Sequence, residues 1–570
     1  MMQDKTGSKR KKNEVNPSYA GQLKSADDFF GIEPAGGKNI HLHILAGLVM
    51  VIFAGWVWML NPVPVIHGDQ MNIVTMIETK QHPENFAKDT IWAGKAADSY
   101  PPLIRGIISF FISNWGIIGG HRVAQFPLSI AFLFIIYGSL YYLTRSVWAS
   151  LITACCAIIW RWSMAETYYG LDRLQAVQPR SFVLVFIPLV FILVWKYRNS
   201  FLLVIPFFIT GILFNLNPPE SLDFAVLCWL ALLYFALKNR GKLLILLFAG
   251  VAFIAGALPF VIQTIYVNHL VSPPFSPEQA QQYYQALQYR FSQIGFLPVP
   301  ASKLVQPFYC FAPFIFIAAL GWCIRKEKRN AFDKFLIVFA VLSFVGTVIG
   351  QAVLQQVYLS MKTYPFLDNF MRGQKFAYLV LYIYTAYLLA DILRSAGLSA
   401  KALLITVCAV IVVLLPLFVN NSDDPFGQWE YNSAQLNQLL NGNKIEIAGW
   451  HQYVEGVSNW AKTNTPAESL FLFANNFMSP FRIYAQRSMV TTRDGGDFAR
   501  FNKPDGFLRW SDYQAKLEKI TAEGDLNGLL ALAAESKADY IVVPPNWPDL
   551  KGRSLVYHDD YWKVFKSSRQ

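Results

Sequence analysis

Long apolar runs recur along most of this chain, and they constrain its fold more than any other feature. A helix that crosses a bilayer needs about 20 mostly apolar residues, and runs close to that length follow one another between residues 43 and 419. Only 15% of the residues are charged, whereas a soluble domain usually carries about 25%. The sequence therefore predicts a polytopic α-helical membrane protein.

About eleven of these runs are predicted to cross the membrane. They are residues 43–60, 126–143, 147–160, 182–195, 201–214, 222–237, 243–267, 307–323, 335–357, 376–393 and 403–419. A further segment, 103–120, is apolar but interrupted. If it lies along the membrane interface, every short and strongly basic loop falls on the side of the N-terminus. Basic loops are enriched on the cytoplasmic side, so we predict an interfacial segment and a cytoplasmic N-terminus.

The formal net charge is +12, but the distribution of this charge argues against a nucleic-acid partner. The basic residues form short clusters between apolar runs, which is the pattern that orients membrane proteins. We expect a multi-pass protein of the cytoplasmic membrane, in contact with membrane lipids. Three regions are predicted: a basic cytoplasmic segment (1–40), a transmembrane module (41–420) with a first outer loop (61–125), and an outer-face domain (421–570).

From about residue 449 the composition becomes that of a water-soluble α/β domain. Short apolar stretches at 469–474, 489–492 and 540–543 predict strands with helices between them, and 554–567 predicts a terminal hairpin. Alternation of helices and strands favours a small, partly parallel sheet. We expect this domain to recognise an acceptor or to cover the membrane module. The six cysteines lie in or beside apolar runs, at no spacing typical of a metal site or disulfide framework.

Asp69 lies a few residues after the first span and just before a predicted amphipathic helix (71–80). A carboxylate near the membrane surface can accept a proton from a substrate hydroxyl or bind a cation, and partial burial would raise its pKa towards that of a general base. An aspartate at this position also suits an N-cap of the following helix. Spacing alone leaves both roles open and favours the cap.

Several short motifs follow Asp69 in a recognisable order. DQ at 69–70 is followed by YPPL at 100–103 and then by Arg122 with FP at 126–127. This order resembles the GT-C fold of integral-membrane glycosyltransferases, which use lipid-linked sugar donors. In that group the aspartate is often part of a DE or DQ pair, and in this chain Gln70 rather than an acid follows it. Gln70 therefore replaces one of the two carboxylates that could coordinate a metal at this pair. The sequence does not establish a metal site here.

Two further segments resemble bacterial members of the group with unassigned specificity. One is HPENFAKD at 82–89, in the first outer loop. The other is a W…W…NTP…FLF pattern at the start of the C-terminal domain: Trp450, Trp460, 464–466 and 471–473. Such members end in an outer α/β domain, which is the organisation predicted here.

The resemblance implies transfer of a sugar from a polyprenyl-phosphate-linked donor to a glycan, lipid or protein acceptor on the outer face. Asp69 would be the general base. Glu84, Asp89 and Asp98 lie in the same loop and are secondary acidic candidates, although each also suits a solvated loop charge. The resemblance leaves room for a divalent cation, Mg²⁺ or Mn²⁺.

Catalysis of this kind needs cations for the donor's phosphate, and these should lie at the outer ends of spans. The candidates are Arg161, Arg173, Arg180, Arg372 and Lys375. Arginine's forked donors suit phosphate oxygens. The alternative is snorkelling to the interface or ion pairs with neighbouring acids.

Two other classes of function are compatible with a polytopic chain. A transporter or flippase for lipid-linked saccharides should place ionisable residues near the middle of the membrane and show internal repeats, and neither is evident. A non-enzymatic envelope assembly protein would not need an acidic outer loop with a YPPL segment. The glycosyltransferase is therefore the favoured prediction.

Overall fold

The computed structural model describes most of the membrane module and of the C-terminal domain. The described residues are 38–60, 69–94, 96–159, 177–237, 240–271, 278–279, 281–283, 285–286, 289, 316, 319–361, 370–396, 398–419, 425–446, 451–475, 478–501 and 506–568. The basic segment 1–37 and most of the predicted span 307–323 lie outside them.

The membrane module is a bundle of helices. In chain order they are α1 (Lys38–Leu60), α2 (Asp69–Gln81), α3 (Pro102–Trp115), α4 (Ile117–Thr144), α5 (Val147–Ile159), α6 (Pro179–Leu184), α7 (Ile187–Tyr197), α8 (Val204–Phe214), α9 (Pro218–Ala236), α10 (Arg240–Val271), α11 (Ala331–Val341), α12 (Thr347–Met361), α13 (Ala377–Ser395), α14 (Leu398–Val419) and α15 (Pro425–Leu440). A π-helical turn, Leu342–Gly346, joins α11 to α12, and a 3₁₀ turn, Phe370–Phe376, leads into α13.

Seven helical stretches among the described residues are long and apolar enough to cross a membrane. Three predicted spans correspond to shorter apolar helices, at 147–158, 201–214 and 402–411. Only 22% of the most apolar 18-residue stretch of α10 is buried inside the protein. The helix therefore exposes a broad apolar surface that suits lipid. The predicted fold class is confirmed, while the count of about eleven spans stays a prediction.

Contacts between the helix ends agree with the predicted alternation of the spans. Arg394, at the end of α13, donates a hydrogen bond to the carbonyl of Thr144, beside the basic residue Arg145. Arg325, before α11, lies 4.0 Å from the carboxylate of Asp391. Basic loops from three parts of the chain therefore meet at one end of the bundle, and the side of the membrane that this end faces stays a prediction.

The interrupted apolar segment forms a corner between α3 and α4. Gly116 lies at the corner with φ of +78°, and a Cβ there would lie 2.7 Å from the carbonyl oxygen of Ile445, so only glycine fits. With 14 residues, α3 is about 21 Å long, shorter than the ~30 Å hydrocarbon core. This length is compatible with the interfacial placement that the sequence predicts, but α5 and α8, at predicted spans, are shorter still, so the placement stays a prediction.

The second span begins earlier than the sequence predicts. Helix α4 starts at Ile117 rather than at residue 126, because its polar first turns are buried within the protein rather than exposed to lipid. His121, Arg122 and Gln125 are all buried. Arg122 lies over the ring of Trp58 at 4.1 Å and thereby ties α4 to the end of α1.

The segment after α15 holds this corner in place. The carbonyl of Ile445 accepts hydrogen bonds from the amides of Ile118 and Gly119, at 2.9 and 3.0 Å, and the carboxylate of Glu446 accepts one from Ile117 at 3.2 Å. The first amides of a helix have no partner within the helix. The chain that leads to the C-terminal domain supplies those partners, so the domain is anchored to the membrane module.

The C-terminal domain is a five-stranded sheet flanked by helices. Its elements are α16 (Gln452–Asn464), β1 (Leu470–Phe473), α17 (Ser479–Ala485), β2 (Ser488–Met489), α18 (Gly506–Glu523), α19 (Leu526–Ser536), β3 (Tyr540–Val543), β4 (Leu555–His558) and β5 (Lys563–Lys566). The strand order is β2-β1-β3-β5-β4. β1 is parallel to β2 and β3, and β5 is antiparallel to β3 and β4. The predicted partly parallel sheet and terminal hairpin are confirmed.

The second strand is shorter than the predicted range 489–492. Thr491 and Thr492 leave the ladder because their polar groups bond to α18. The hydroxyl of Thr491 contacts Gln514 Oε1 at 3.0 Å, and the carbonyl of Thr492 accepts a hydrogen bond from the indole of Trp510 at 2.9 Å. These bonds direct the chain after β2 towards the first outer loop.

Candidate functional site

Lys375 and Glu220 form a buried ion pair where two spans begin. Lys375 lies in the 3₁₀ turn before α13, and its ammonium contacts a carboxylate oxygen of Glu220; the two side chains are 1% and 0% exposed. Glu220 is in the first turn of α9, where the helix dipole favours negative charge. A carboxylate on one span thus meets a cation that the sequence predicts as a phosphate ligand.

Arg180 and Arg372 bring two more positive charges to the same place. Both guanidinium groups lie close enough to Lys375 for their charges to act on its ammonium. Arg180 is buried in the first turn of α6, and its Nε donates to Oε1 of Gln178. Arg372 lies in the same 3₁₀ turn as Lys375. The structure therefore brings together three of the five predicted cations; we call Arg180, Arg372, Lys375 and Glu220 the cation cluster.

Close packing fixes the turn that carries two of these cations. A Cβ on Gly373 would lie 2.9 Å from Cγ2 of Thr347 on α12 and 3.1 Å from Cδ1 of Leu227 on α9. It would also lie 3.7 Å from Cβ of Asp223, a second buried acid on α9. The turn is wedged between two spans, so the positions of Arg372 and Lys375 depend on the absence of a side chain at Gly373.

Asp69 is the first residue of α2, and its side chain lies outside the described part of the structure. Its neighbour Gln70 is buried and donates from Nε2 to the carbonyl of Val177 at 3.1 Å. Val177 is three residues before Arg180 in the chain. The start of α2 therefore lies beside the segment that leads to the cation cluster. Because α2 begins at Asp69 rather than at residue 71 as predicted, Asp69 lies in the first turn and the N-cap is the residue before it. Its role as the general base stays a prediction.

Glu84 and Asp98 lie among other residues of the first outer loop. Glu84 is exposed in a 3₁₀ turn, Pro83–Phe86, with His82 Nδ1 3.7 Å from its Oε1. Asp98 pairs with Lys80 at 2.5 Å. Glu84 is thus a solvent-exposed charge and Asp98 a partly buried one. Because the side chain of Asp69 lies outside the described residues, the supporting role of both acids stays a prediction.

Asp89 has a different environment from the other loop acids, because it is fully buried against the C-terminal domain. Its Oδ2 accepts hydrogen bonds from Nε of Arg482 at 2.7 Å and from the amide of Met489 at 2.8 Å. Its Oδ1 accepts from Nη2 of Arg482 at 3.2 Å and from the amides of Ile91 and Trp92, at 2.9 and 3.0 Å. Such complete bonding favours a structural role that fixes the loop to the domain.

Other contacts reinforce this junction between α2, the loop and the domain. Gln486 Nε2 donates to Oε2 of Glu78 on α2 at 2.5 Å, and the ring of Trp92 stacks on Phe498 with centroids 5.2 Å apart. Burial raises the pKa of Glu78, while the hydrogen bond from Gln486 opposes that rise. The C-terminal domain therefore contacts α2 at Glu78 as well as the loop that follows this helix.

Two predicted phosphate ligands, Arg161 and Arg173, lie outside the described residues. Within the described part of the chain, no group of three or more His, Cys, Asp or Glu side chains is placed to hold a metal ion. That set does not include the side chain of Asp69, so metal binding stays a prediction.

Sequence reasoning missed Glu220 and Arg482. Glu220 follows NPP in the first turn of a span, and a carboxylate at the edge of an apolar run was a usable signal for a buried pair. Arg482 carried no comparable signal, because an arginine in a short helix of a soluble domain is usually solvent-exposed.

Comparison with protein families gives one short match. Residues 453–495 match the model of a domain of unknown function, DUF6798. This stretch contains Arg482 and Met489, which bond to Asp89. No curated protein matches the chain.

Among solved structures, the chain is similar to ArnT from Cupriavidus metallidurans in two forms. The structure bound to undecaprenyl phosphate is 12% identical, with 94% of this chain and 98% of that chain covered and a TM-score of 0.45. The apo structure is 13% identical, with coverages of 93% and 98% and a TM-score of 0.47. A TM-score below 0.5 is too low for either structure to decide the ligand or the activity of this chain.

Proposed function

We propose that this protein is a membrane glycosyltransferase that moves a sugar from a polyprenyl-phosphate-linked donor to a glycan, lipid or protein acceptor on the outer face of the cytoplasmic membrane. Asp69 is the general base in this proposal. Arg180, Arg372 and Lys375 bind the donor's phosphate, and the C-terminal domain recognises the acceptor or covers the site.

The observation that carries the proposal is the cation cluster. Lys375 pairs with Glu220, and Arg180 and Arg372 lie close enough to act on Lys375. A donor phosphate beside these three cations would accept charge-assisted hydrogen bonds from them. The support is this cluster and the sequence resemblance, rather than the distant likeness to ArnT.

The position of the cluster suits a phosphate carried by a lipid. Its members lie in the first turns of α6 and α9 and just before α13, which are the ends of spans and not their middles. A carrier whose chain stays in the bilayer would present its phosphate at this depth. A transporter needs ionisable groups near mid-membrane, so the position of the cluster favours the transferase over the flippase.

The reaction requires few groups. The acceptor's hydroxyl oxygen attacks C1 of the sugar, the bond between C1 and the phosphate oxygen breaks, and the polyprenyl phosphate leaves with the bonding electron pair. Asp69 takes the proton of the hydroxyl, while the cations stabilise the charge that develops on the phosphate. The bond between Gln70 and Val177 links the base's helix to the segment of Arg180.

A transfer assay with purified full-length protein tests the proposal. Radiolabelled polyprenyl-phosphate sugars are incubated with candidate glycan, lipid and protein acceptors. Loss of a general base usually lowers the rate by about 10²–10⁴-fold, so Asp69→Asn should lower transfer by that factor. It should leave thermal unfolding and carrier binding unchanged, because the substitution keeps the shape of the side chain.

Glu84→Gln is the matched control, because Glu84 is an exposed acid of the same loop, and it should transfer normally. Normal transfer by Asp69→Asn would reject Asp69 as the base. If the wild-type protein transfers sugar from none of the polyprenyl-phosphate donors, the proposed function is rejected. The same assay with EDTA, or with added Mg²⁺ or Mn²⁺, tests metal dependence.

A further inference from the structure

A cavity opens at the end of the bundle opposite the cation cluster. It lies where α7 and α9 end and where α10 and α11 begin, and its volume is about 150 Å³. One water occupies ~30 Å³ in the liquid, so the cavity has room for a group several times that size. It is separate from every residue of the proposed transfer site.

The lining of the cavity combines two cations with aromatic walls. Arg198 and Lys242 line it together with Trp195 and Phe235, and none of the described lining residues carries a carboxylate. The nearest buried acid on the adjoining helix α11, Asp333, is bonded to Arg325 at 3.4 Å and to the amide of Asn330 at 3.0 Å. The positive charge of the cavity is therefore not neutralised by that acid.

Arg198 is fixed in position rather than extended into solvent. Its guanidinium lies 3.7 Å from the ring centre of Trp195, and its Nη1 donates to the carbonyl of Trp195 at 2.8 Å. An arginine whose side chain is already held loses less entropy when it binds a phosphate. Lys242 reaches the cavity from α10, a different helix.

The surface beside the cavity is apolar and faces outward. Leu237 is 64% exposed, and Leu244 and Leu247 on α10 are 49% and 60% exposed. Leu237 directly follows α9, and Leu244 and Leu247 lie on α10, so together they form an exposed apolar face that suits lipid. A ligand with a phosphate and hydrocarbon chains fits both surfaces, whereas a free phosphate would make no use of the aromatic walls or of this apolar face.

We propose that this cavity binds the phosphate headgroup of an anionic glycerophospholipid, with its acyl chains against the exposed face of α9 and α10. Basic pockets between membrane helices commonly bind such headgroups. The site is independent of the glycosyltransferase proposal, and its ligand is a lipid of the surrounding membrane rather than a substrate.

The test measures binding of dioleoyl phosphatidylglycerol to full-length protein by native mass spectrometry, with dioleoyl phosphatidylcholine as the neutral comparison. Each cation near an anionic headgroup typically strengthens binding about fivefold. Arg198→Gln/Lys242→Gln should therefore weaken phosphatidylglycerol binding roughly 10–30-fold and leave phosphatidylcholine binding unchanged.

Lys326→Gln/Lys334→Gln is the matched control, because it removes two exposed cations at the same end of the bundle, outside the cavity lining. It should weaken binding by less than about threefold, since no formed site is lost. An equal loss in both double variants would show diffuse attraction and overturn the proposal. Thermal unfolding by tryptophan fluorescence verifies that each variant is folded.

A second variant tests the cavity without changing its charge. Ala331 lines the cavity at the exposed first residue of α11, so Ala331→Leu should fill space while both cations remain. Weaker phosphatidylglycerol binding is expected, and unchanged binding would place the headgroup elsewhere. Competition by millimolar inorganic phosphate against the lipid would also overturn the proposal, by assigning the cavity to a free anion.

Discussion

Two buried ion pairs in this protein differ in the number of hydrogen bonds that their carboxylates accept. The carboxylate of Asp89 accepts five hydrogen bonds, two of them from Arg482. The pair of Glu220 and Lys375 is equally buried, yet Oε1 of Glu220 accepts no hydrogen bond from any residue that the structure describes. Two arginines also act on Lys375, so three cations lie close together at the second pair.

This difference separates a structural pair from a candidate binding site. A buried ion pair with all its hydrogen bonds formed has no further capacity for a ligand, and its loss should mainly reduce stability. We expect a pair that lies beside two further cations to contact an anionic ligand, so its loss should mainly reduce binding. Burial alone would not have distinguished the two.

The largest effect is expected from Asp89→Ala. Removal of one partner leaves Arg482 buried without its counter-charge, which typically costs about 3–5 kcal/mol. Thermal unfolding, followed by tryptophan fluorescence in detergent, should show a clearly lowered midpoint.

Lys88→Ala is the control, because Lys88 bridges the same loop to Asp539 of the same domain at 3.1 Å but is 45% exposed. An exposed pair contributes about 0–1 kcal/mol, so its midpoint should barely change. Equal midpoints for Asp89→Ala and wild type would contradict the structural role of Asp89.

The next effect is expected in the cation cluster. Arg180→Gln and Arg372→Gln should each weaken binding of a polyprenyl phosphate about 10–100-fold, because each removes a charge-assisted hydrogen bond worth roughly 1.5–3 kcal/mol. Binding is measured on purified protein by isothermal titration. Lys80→Gln, an exposed cation of the first loop, should bind normally, and unchanged affinity in both arginine variants would remove them from the site.

A smaller effect is expected from Gly373→Ala. The new Cβ would overlap Cγ2 of Thr347, and such overpacking typically costs 1–3 kcal/mol. The turn should shift and weaken polyprenyl phosphate binding several-fold.

Thr347→Ser should restore binding in the Gly373→Ala background, because it removes Cγ2 and keeps the hydroxyl that donates to the carbonyl of Ser343. Gly106→Ala is the control, since nothing lies within 4 Å of its new Cβ. Absence of rescue would mean that the turn does not position the cations through this contact.

The smallest effect concerns pH and Glu78. Burial raises its pKa above the ordinary value of 4.5, so the folded protein holds this proton more tightly than the unfolded chain. The resulting stability is fully present below about pH 4.5 and is lost as pH rises through the raised pKa. Glu78→Gln should flatten this part of the dependence of the unfolding midpoint on pH, whereas the exposed control Glu84→Gln should not.

Local patterns were enough to predict much of the fold. The length of an apolar run reports a span, and the placement of basic loops reports alternation. The short apolar stretches at 469–474 and 540–543 contain β1 and β3. Each of these signals lies within one stretch of chain, because the free energy of placing a helix in lipid, or a strand in a core, depends first on its own residues.

The candidate site was predicted only in part. Arg180, Arg372 and Lys375 could be proposed because cations at the outer ends of spans are unusual. Glu220, the partner of Lys375, was missed: its place at the edge of an apolar run was a signal, but an acid at the start of a helix is equally typical of a simple cap.

The sequence by itself therefore determined a polytopic helical bundle, its basic loops and a C-terminal α/β domain. Only the tertiary structure decided that Asp89 pairs with Arg482, 393 residues later in the chain, and that Lys375, with Arg180 and Arg372 nearby, pairs with Glu220. The energy of a charge depends on which partners and how much water surround it. Those surroundings come from packing of distant segments, so the residue's own position in the sequence does not reveal them.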